Sequence, residues 1–225
     1  WLVAAPVALL PALMASWTGD WDAARTFLYA ALGMVALGAP VGIAASGFSP
    51  RNLSLYQLIT VVAAFVVFPL GFAWPIHELN PALGFGRAYF EALSAFTTTG
   101  ATVFDDLDAV RPSVHLWRSL IGWMGGLLVL LAAVAILEPL NLGGFEIAQT
   151  VSGRYAAVQR ASRGSQEMRR RLLYHASLVC PVFAAATVLL CFALLALGEQ
   201  PLVAVCHAMA VVATSGISPL DPCSE

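Results

Sequence analysis

Six long stretches of this chain, each of 19 residues or more, contain no Asp, Glu, Arg or Lys: 1–19, 26–50, 52–77, 119–137, 172–198 and 200–220. A helix crossing the roughly 30 Å hydrocarbon core of a bilayer needs about 20 mostly apolar residues, so five of these runs are long and apolar enough to span. Only 11% of the residues are charged, against about a quarter in soluble domains, which excludes an ordinary soluble fold. The expected class is an all-α membrane protein, a polytopic helical bundle. A signal peptide is the competing reading of 1–19, but that segment has no basic n-region and further spans follow it.

The eleven positive charges are all Arg and the formal net charge is −2, which leaves no basic field for nucleic acid. Cys180, Cys191, Cys206 and Cys223 fall in no tight cluster, so the spacing encodes neither a disulfide scaffold nor a zinc site. The chain begins at Trp1 and stops soon after an apolar run, and a fragment of a longer protein is expected.

The sixth run follows the fifth after only Glu199, and after about thirteen apolar residues it ends in Thr214, Ser215, Gly216, Ile217, Ser218 and Pro219. A short helix that enters the membrane and returns as extended backbone fits this better than a full span, and such backbone survives only where protein or a watery cavity shields it. That is the pattern of a re-entrant pore loop. The linker after 119–137 carries Arg154, Arg160, Arg163, Arg169, Arg170 and Arg171 against Glu146 and Glu167, and the positive-inside rule makes it cytoplasmic. The 78–112 segment with Glu78, Glu91, Asp105, Asp106 and Asp108 then lies outside, as does the 17–25 turn, while the 46–54 turn with Arg51 lies inside.

Phe90 to Thr102 can be laid over Cys206 to Ser218 without a gap, with Ala92/Ala208, Thr98/Thr214 and Gly100/Gly216 identical. Each copy follows a long apolar helix carrying Pro69 or Pro181, 31 and 35 residues before its glycine. The order helix, short helix, hydroxyl-Gly strand therefore occurs twice. Such strands suit a cation: a dehydrated monovalent ion needs carbonyls and hydroxyls in place of water, and several loops can ring it with them. Glycine at 100 and 216 permits φ > 0 and a turn that aims successive carbonyls at one axis. The preceding short helices point their partly negative C-termini at that axis, and Asp105, Asp106 and Asp108 concentrate cations at the mouth.

Phe90 to Thr102, Leu116-Trp-Arg-Ser-Leu-Ile-Gly-Trp-Met-Gly-Gly126, the apolar run to Leu137 and Leu142-Gly-Gly144 together resemble the TrkH/KtrB/HKT superfamily of potassium transporters, its TrkH branch most closely. The resemblance covers nearly the whole chain. It implies four fused helix, pore-loop, helix units preceded by two extra helices in a multi-pass protein of the bacterial inner membrane. On that footing 1–50 holds the two N-terminal transmembrane helices, 51–140 the first repeat, 141–171 a cytoplasmic Arg-rich linker and 172–225 a second repeat that stops after its pore loop. Thr98, Thr99, Gly100 and Ala101 would line one quarter of a K⁺ filter, and Thr214, Ser215, Gly216 and Ile217 another. The ion is then cargo, with no cofactor and no transition-metal site. The partners implied are membrane lipid, a second copy in a homodimer and a TrkA-like nucleotide-binding cytoplasmic subunit. Ser215 departs from the family pattern, since many relatives have Gly there, and repeats three and four are absent.

Plainer roles fit other residues. Gly122, Gly125 and Gly126 read as helix-packing positions rather than site residues. Arg118 is expected to snorkel to the outer interface or to pair with an Asp. His115, His175 and His207 have no carboxylate or Cys partner at ligand spacing, and Glu91 and His207 occupy equivalent places in the two copies. The alternative function is an intramembrane enzyme or a structural membrane subunit using Glu91, Cys206 or His207, for which no nucleophile and base stand at a recognisable spacing.

Overall fold

In the computed structural model, residues 4–45, 53–137 and 154–220 are described, with side chains over 4–44, 59–133 and 173–220. Among the described residues there are seven helices and no strand: α1 (Ala4–Trp17), α2 (Trp21–Ala45), α3 (Leu53–Leu79), α4 (Phe85–Phe96), α5 (Pro112–Leu137), α6 (Arg154–Ala196) and α7 (Pro201–Val212), with a single 3₁₀ turn at Pro81–Leu83. Four of them, α2, α3, α5 and α6, are long and apolar enough to cross a membrane, and large apolar side chains such as Leu32, Val62, Val182 and Phe192 cover their outer faces. The molecule is a multi-pass helical membrane protein. Of the five expected spans, α1 is described over only 14 residues, about 21 Å at 1.5 Å per residue. The turn around Arg51, residues 138–153 with Glu146 and Leu142-Gly-Gly144, and Cys223 lie outside the described residues.

Small side chains set the first contact. Ala4, Ala5, Ala8, Pro11 and Ala15 of α1 are buried, as are Ala23, Ala30 and Ala31 of α2, so the two axes can close up along a seam of small side chains. The turn between them ends α1 with two bonds, Gly19 N–H to Ser16 O at 3.3 Å and Asp20 N–H to Ala15 O at 2.9 Å, around Gly19 at φ +79°. This is the Schellman ending, which needs a left-handed residue and here has the type that adopts it freely. Asp20 then caps α2 by accepting the Ala23 amide at 3.2 Å and holds the Arg111 guanidinium at 2.8 Å, tying this hairpin to the loop before α5.

α5 is the wall of the fold, packed against α4 on one side and α7 on the other. An aromatic cluster sets its position. Trp117 is fully buried, stacks edge-on against Phe72 at 5.6 Å and Phe27 at 5.8 Å, and donates its indole N–H to the Phe72 carbonyl at 3.0 Å. Phe96, the last residue of α4, meets Phe65, Phe68 and Phe72 with ring centroids 5.3 to 5.9 Å apart, so the end of the short helix rests on α3. Phe72 lies between Pro69 and Pro75, both inside α3.

α6 departs from the sequence expectation in length. Its helical backbone is continuous over 43 residues, so the basic stretch from Arg154 is helix running into the span. At 1.5 Å per residue that is about 65 Å, twice a hydrocarbon core.

Trp117→Ala removes a fully buried ring from the α2–α3–α5 junction together with its hydrogen bond. The expected cost is about 3–5 kcal/mol, read as a lowered thermal midpoint of the detergent-solubilised full-length protein. A midpoint unchanged from wild type would refute the role given to this cluster.

Candidate pore-loop site

The two loops identified in the sequence are built alike to a degree that three identities in thirteen do not foretell. α4 and α7 are each 12 residues long and begin and end at aligned positions, Phe85 with Pro201 and Phe96 with Val212. Each is about 18 Å long, half a bilayer. Their ends close with the same hydrogen bonds. Thr97, Thr98 and Thr99 donate to Leu93, Ala95 and Ser94 at 2.8, 3.0 and 2.9 Å, while Ala213, Thr214 and Ser215 donate to Met209, Val211 and Ala210 at 3.0, 3.1 and 2.9 Å. Further along, the Phe104 amide bonds to Thr102 Oγ1 at 3.2 Å and the Leu220 amide to Ser218 Oγ at 3.0 Å, again at aligned positions.

Both endings are Schellman motifs, but the left-handed residue is Thr98 at φ +57° and Thr214 at φ +53°. Elsewhere in the chain the same motif uses glycine, at Gly19 and at Gly198. A β-branched residue in this region is an outlier, and each costs about 1–2 kcal/mol. Two residues on, Gly100 at +76° and Gly216 at +65° are again left-handed. The backbone hand therefore alternates along Thr98-Thr99-Gly100 and along Thr214-Ser215-Gly216. The sequence reading placed positive φ at the two glycines and missed the two threonines, although Thr98/Thr214 was one of its three identities.

The strands lie side by side. A Cβ added to Gly100 would collide with the Ser215 carbonyl oxygen and lie 3.6 Å from the Gly216 carbonyl carbon. Thr99, Ala101, Thr214 and Gly216 are exposed, Thr98 and Gly100 partly so, and Ser215 and Ile217 are buried. One of the expected lining groups is turned elsewhere: the Ala101 carbonyl accepts the Ser94 hydroxyl at 2.6 Å, toward α4. Asp105, Asp106 and Asp108 are exposed beyond the first strand, with Asp106 Oδ1 accepting the amides of Asp108 and Ala109 at 3.0 and 3.2 Å.

The glycines of α5 are indeed packing residues, and what they pack against is both loops. A Cβ on Gly125 would run into the Phe96 carbonyl at the end of α4; one on Gly126 would lie 2.9 Å from Ala213 Cβ at the end of α7; one on Gly122 would lie 3.0 Å from Ser215 Oγ.

Arg118 overturns the snorkelling expectation. Its side chain is 2% exposed and its Nε donates to Glu91 Oε1 at 2.6 Å, so the partner is a glutamate of α4 and not an aspartate at the interface. Arg118 also donates to Thr102 Oγ1 at 3.0 Å and to His115 Nδ1 at 3.4 Å, and its guanidinium lies 5.2 Å from the centre of the Phe104 ring. Because arginine only donates, His115 Nδ1 is the acceptor and Nε2–H donates to the Leu107 carbonyl at 2.9 Å. Glu91 Oε2 accepts the Val103 amide at 2.8 Å. At the place equivalent to Glu91, His207 Nε2 bonds to Ser218 Oγ at 3.0 Å. Distance in sequence hid the ion pair: 27 residues separate its members, beyond any helical period.

Gly125→Ala is expected to cost at least about 1–3 kcal/mol through overpacking, whereas Gly33→Ala on α2, whose added Cβ meets nothing within 4 Å, is tolerated. Thermal midpoints of the two full-length variants check this; equal midpoints would remove the close approach as a determinant.

The chain is similar to known proteins over most of its length. A family model described as TrkH, cation transport protein, matches residues 50–223. The Trk system potassium uptake protein TrkI of Halomonas elongata is 28% identical over 98% of this chain and 43% of its own length. The Trk system potassium uptake protein TrkH of Escherichia coli K12 is 30% identical over 73% of this chain and 32% of its own. The crystal structure of the potassium transporter TrkH from Vibrio parahaemolyticus superposes with a TM-score of 0.69 at 25% identity, over 98% of this chain and 42% of that one. The chain thus spans less than half the length of these relatives.

Proposed function

Because this chain belongs to the TrkH cation transport protein family, we propose that it supplies two quarters of a K⁺ uptake pore, with Thr98, Thr99, Gly100 and Ala101 lining one and Thr214, Ser215, Gly216 and Ile217 the other. The observation that carries this reading is the side-by-side placement of two strands whose left-handed residues alternate in step, at Thr98 and Gly100 and at Thr214 and Gly216. Carbonyls so directed replace the water that K⁺ sheds on entry. The C-termini of α4 and α7 close at these strands, and their dipoles favour a cation. The Ser94 bond to the Ala101 carbonyl leaves the first loop's usable oxygens on Thr98, Thr99 and Gly100, fewer than a two-glycine TVGYG strand fixes, and selectivity is correspondingly modest.

The remaining assignments are part of the same proposal and rest on the family resemblance of the sequence. The protein sits in the bacterial inner membrane, α1 and α2 form an N-terminal pair over 1–50, repeats occupy 51–140 and 172–225, and the 141–171 segment faces the cytoplasm. Two further loops complete the ring, the protein works as a homodimer, and a TrkA-like nucleotide-binding subunit docks at the cytoplasmic face. The family is one of cation transport, which leaves the intramembrane enzyme reading without support.

In the full-length protein, Gly100→Ser is expected to lower the preference for K⁺ over Na⁺ by about tenfold or more, since it imposes both an unfavourable φ and a clash with the Ser215 carbonyl. Gly216→Ser meets the φ penalty alone, its added Cβ having open space, and acts in the same direction more weakly. Competitive ⁸⁶Rb⁺ and ²²Na⁺ uptake checks this; unchanged discrimination in Gly100→Ser would refute the filter assignment.

A further inference from the structure

The first loop is held from behind by a charge pair that no solvent reaches. Glu91 is 1% exposed and Arg118 2% exposed. Both members of the pair bond to the loop. Glu91 Oε1 takes Arg118 Nε at 2.6 Å and Oε2 takes the Val103 amide at 2.8 Å; the Thr102 hydroxyl donates toward the carboxylate at 3.2 Å and accepts from Arg118 at 3.0 Å. Residues 102 and 103, the next two after Ala101, are thereby fixed to α4 and α5 together. The second loop is held more lightly. His207 stands in place of Glu91 and makes one bond to Ser218, and Pro219, aligned with Val103, has no amide to give.

We propose that Glu91 and Arg118 are positioning residues for ion selection: the pair fixes the height of the Thr98-Thr99-Gly100 strand against α5, and discrimination between K⁺ and Na⁺ depends on it although neither side chain touches the ion. The inference rests on the filter reading above. The pair is neutral as a unit, so it shapes the strand without adding a net charge beside the cation path. A buried pair is also a poor device for stability alone, because an apolar replacement of both members is often as stable. What an apolar replacement cannot do is grip an amide and a hydroxyl of the strand at once.

The test is the double variant Glu91→Leu/Arg118→Met in the full-length protein, which removes every bond from the pair to the loop, leaves no unpaired buried charge and keeps the net charge of the pair. Uptake of ⁸⁶Rb⁺ and ²²Na⁺ is measured per molecule in the membrane. The expected result is a fall of about tenfold in the Rb⁺/Na⁺ ratio. A purely structural role lowers the amount of protein and hence both fluxes alike, so an unchanged ratio overturns the proposal. If the double variant is not recovered in the membrane, Thr102→Val removes the hydroxyl that the pair grips and leaves the pair intact. It is expected to move the ratio in the same direction by about threefold, and an unchanged ratio again overturns the proposal. Gly100→Ser run alongside separates the two readings: if it leaves the ratio unchanged the filter assignment fails, and if it alone shifts the ratio only the positioning role fails.

Discussion

The structure turns on main chains approaching one another without side chains between them. At Gly125 the α5 backbone meets the Phe96 carbonyl, at Gly126 it meets Ala213, and at Gly100 one loop meets the carbonyl of Ser215 in the other. In lipid there is no hydrophobic force to press helices together, so dispersion at close range and satisfied backbone polarity must do it. Three glycines within five residues of α5 let both re-entrant loops lean on one helix. The aromatic cluster of Phe72, Phe96 and Trp117 supplies the complementary bulk where α3, α4 and α5 meet.

On that wall the two loops are copies in hydrogen bonding more than in sequence. Aligned positions carry Leu93 and Met209, Ala95 and Val211, Ser94 and Ala210, yet the same carbonyls accept the same amides. The common cause is the backbone: a 12-residue helix closing through a left-handed threonine, then a second left-handed residue two further on. Only glycine takes the second such position without strain. The first carries Thr98 or Thr214 in both loops, where the connecting turns at Gly19 and Gly198 show that glycine serves the same motif. Strained residues at corresponding places in both loops are what the proposed filter role accounts for and the turn motif alone does not.

Much of this was legible because it is local. Charge-free runs gave the helices, the polar tail after Val212 gave the re-entrant turn, and a fixed offset of 116 between Phe90 and Cys206 gave the repeat. What escaped depends on contacts between distant segments. The Glu91–Arg118 pair joins α4 to α5 across a loop, and the sequence offers Arg118 several acidic neighbours with no means of ranking them. The length of α6 escaped for another reason: Arg-rich sequence ends an apolar run without ending a helix, since arginine is itself a good helix former. The glycines of α5 were read as packing residues, rightly, but their partners are set by the fold.

The unequal fastening of the two loops follows from the same geometry. α5 stands behind the first loop and can place Arg118 against it, so a carboxylate at position 91 is neutralised where it is buried. An acidic residue at position 207 would need its own arginine on a helix behind the second loop; histidine bonds to the Ser218 hydroxyl instead. Ser94, whose hydroxyl takes the Ala101 carbonyl, is likewise answered by Ala210, which has no hydroxyl to offer Ile217. Two loops that share a backbone path are therefore fastened unequally, the first through bonds at Ala101, Thr102 and Val103 and the second through Ser218.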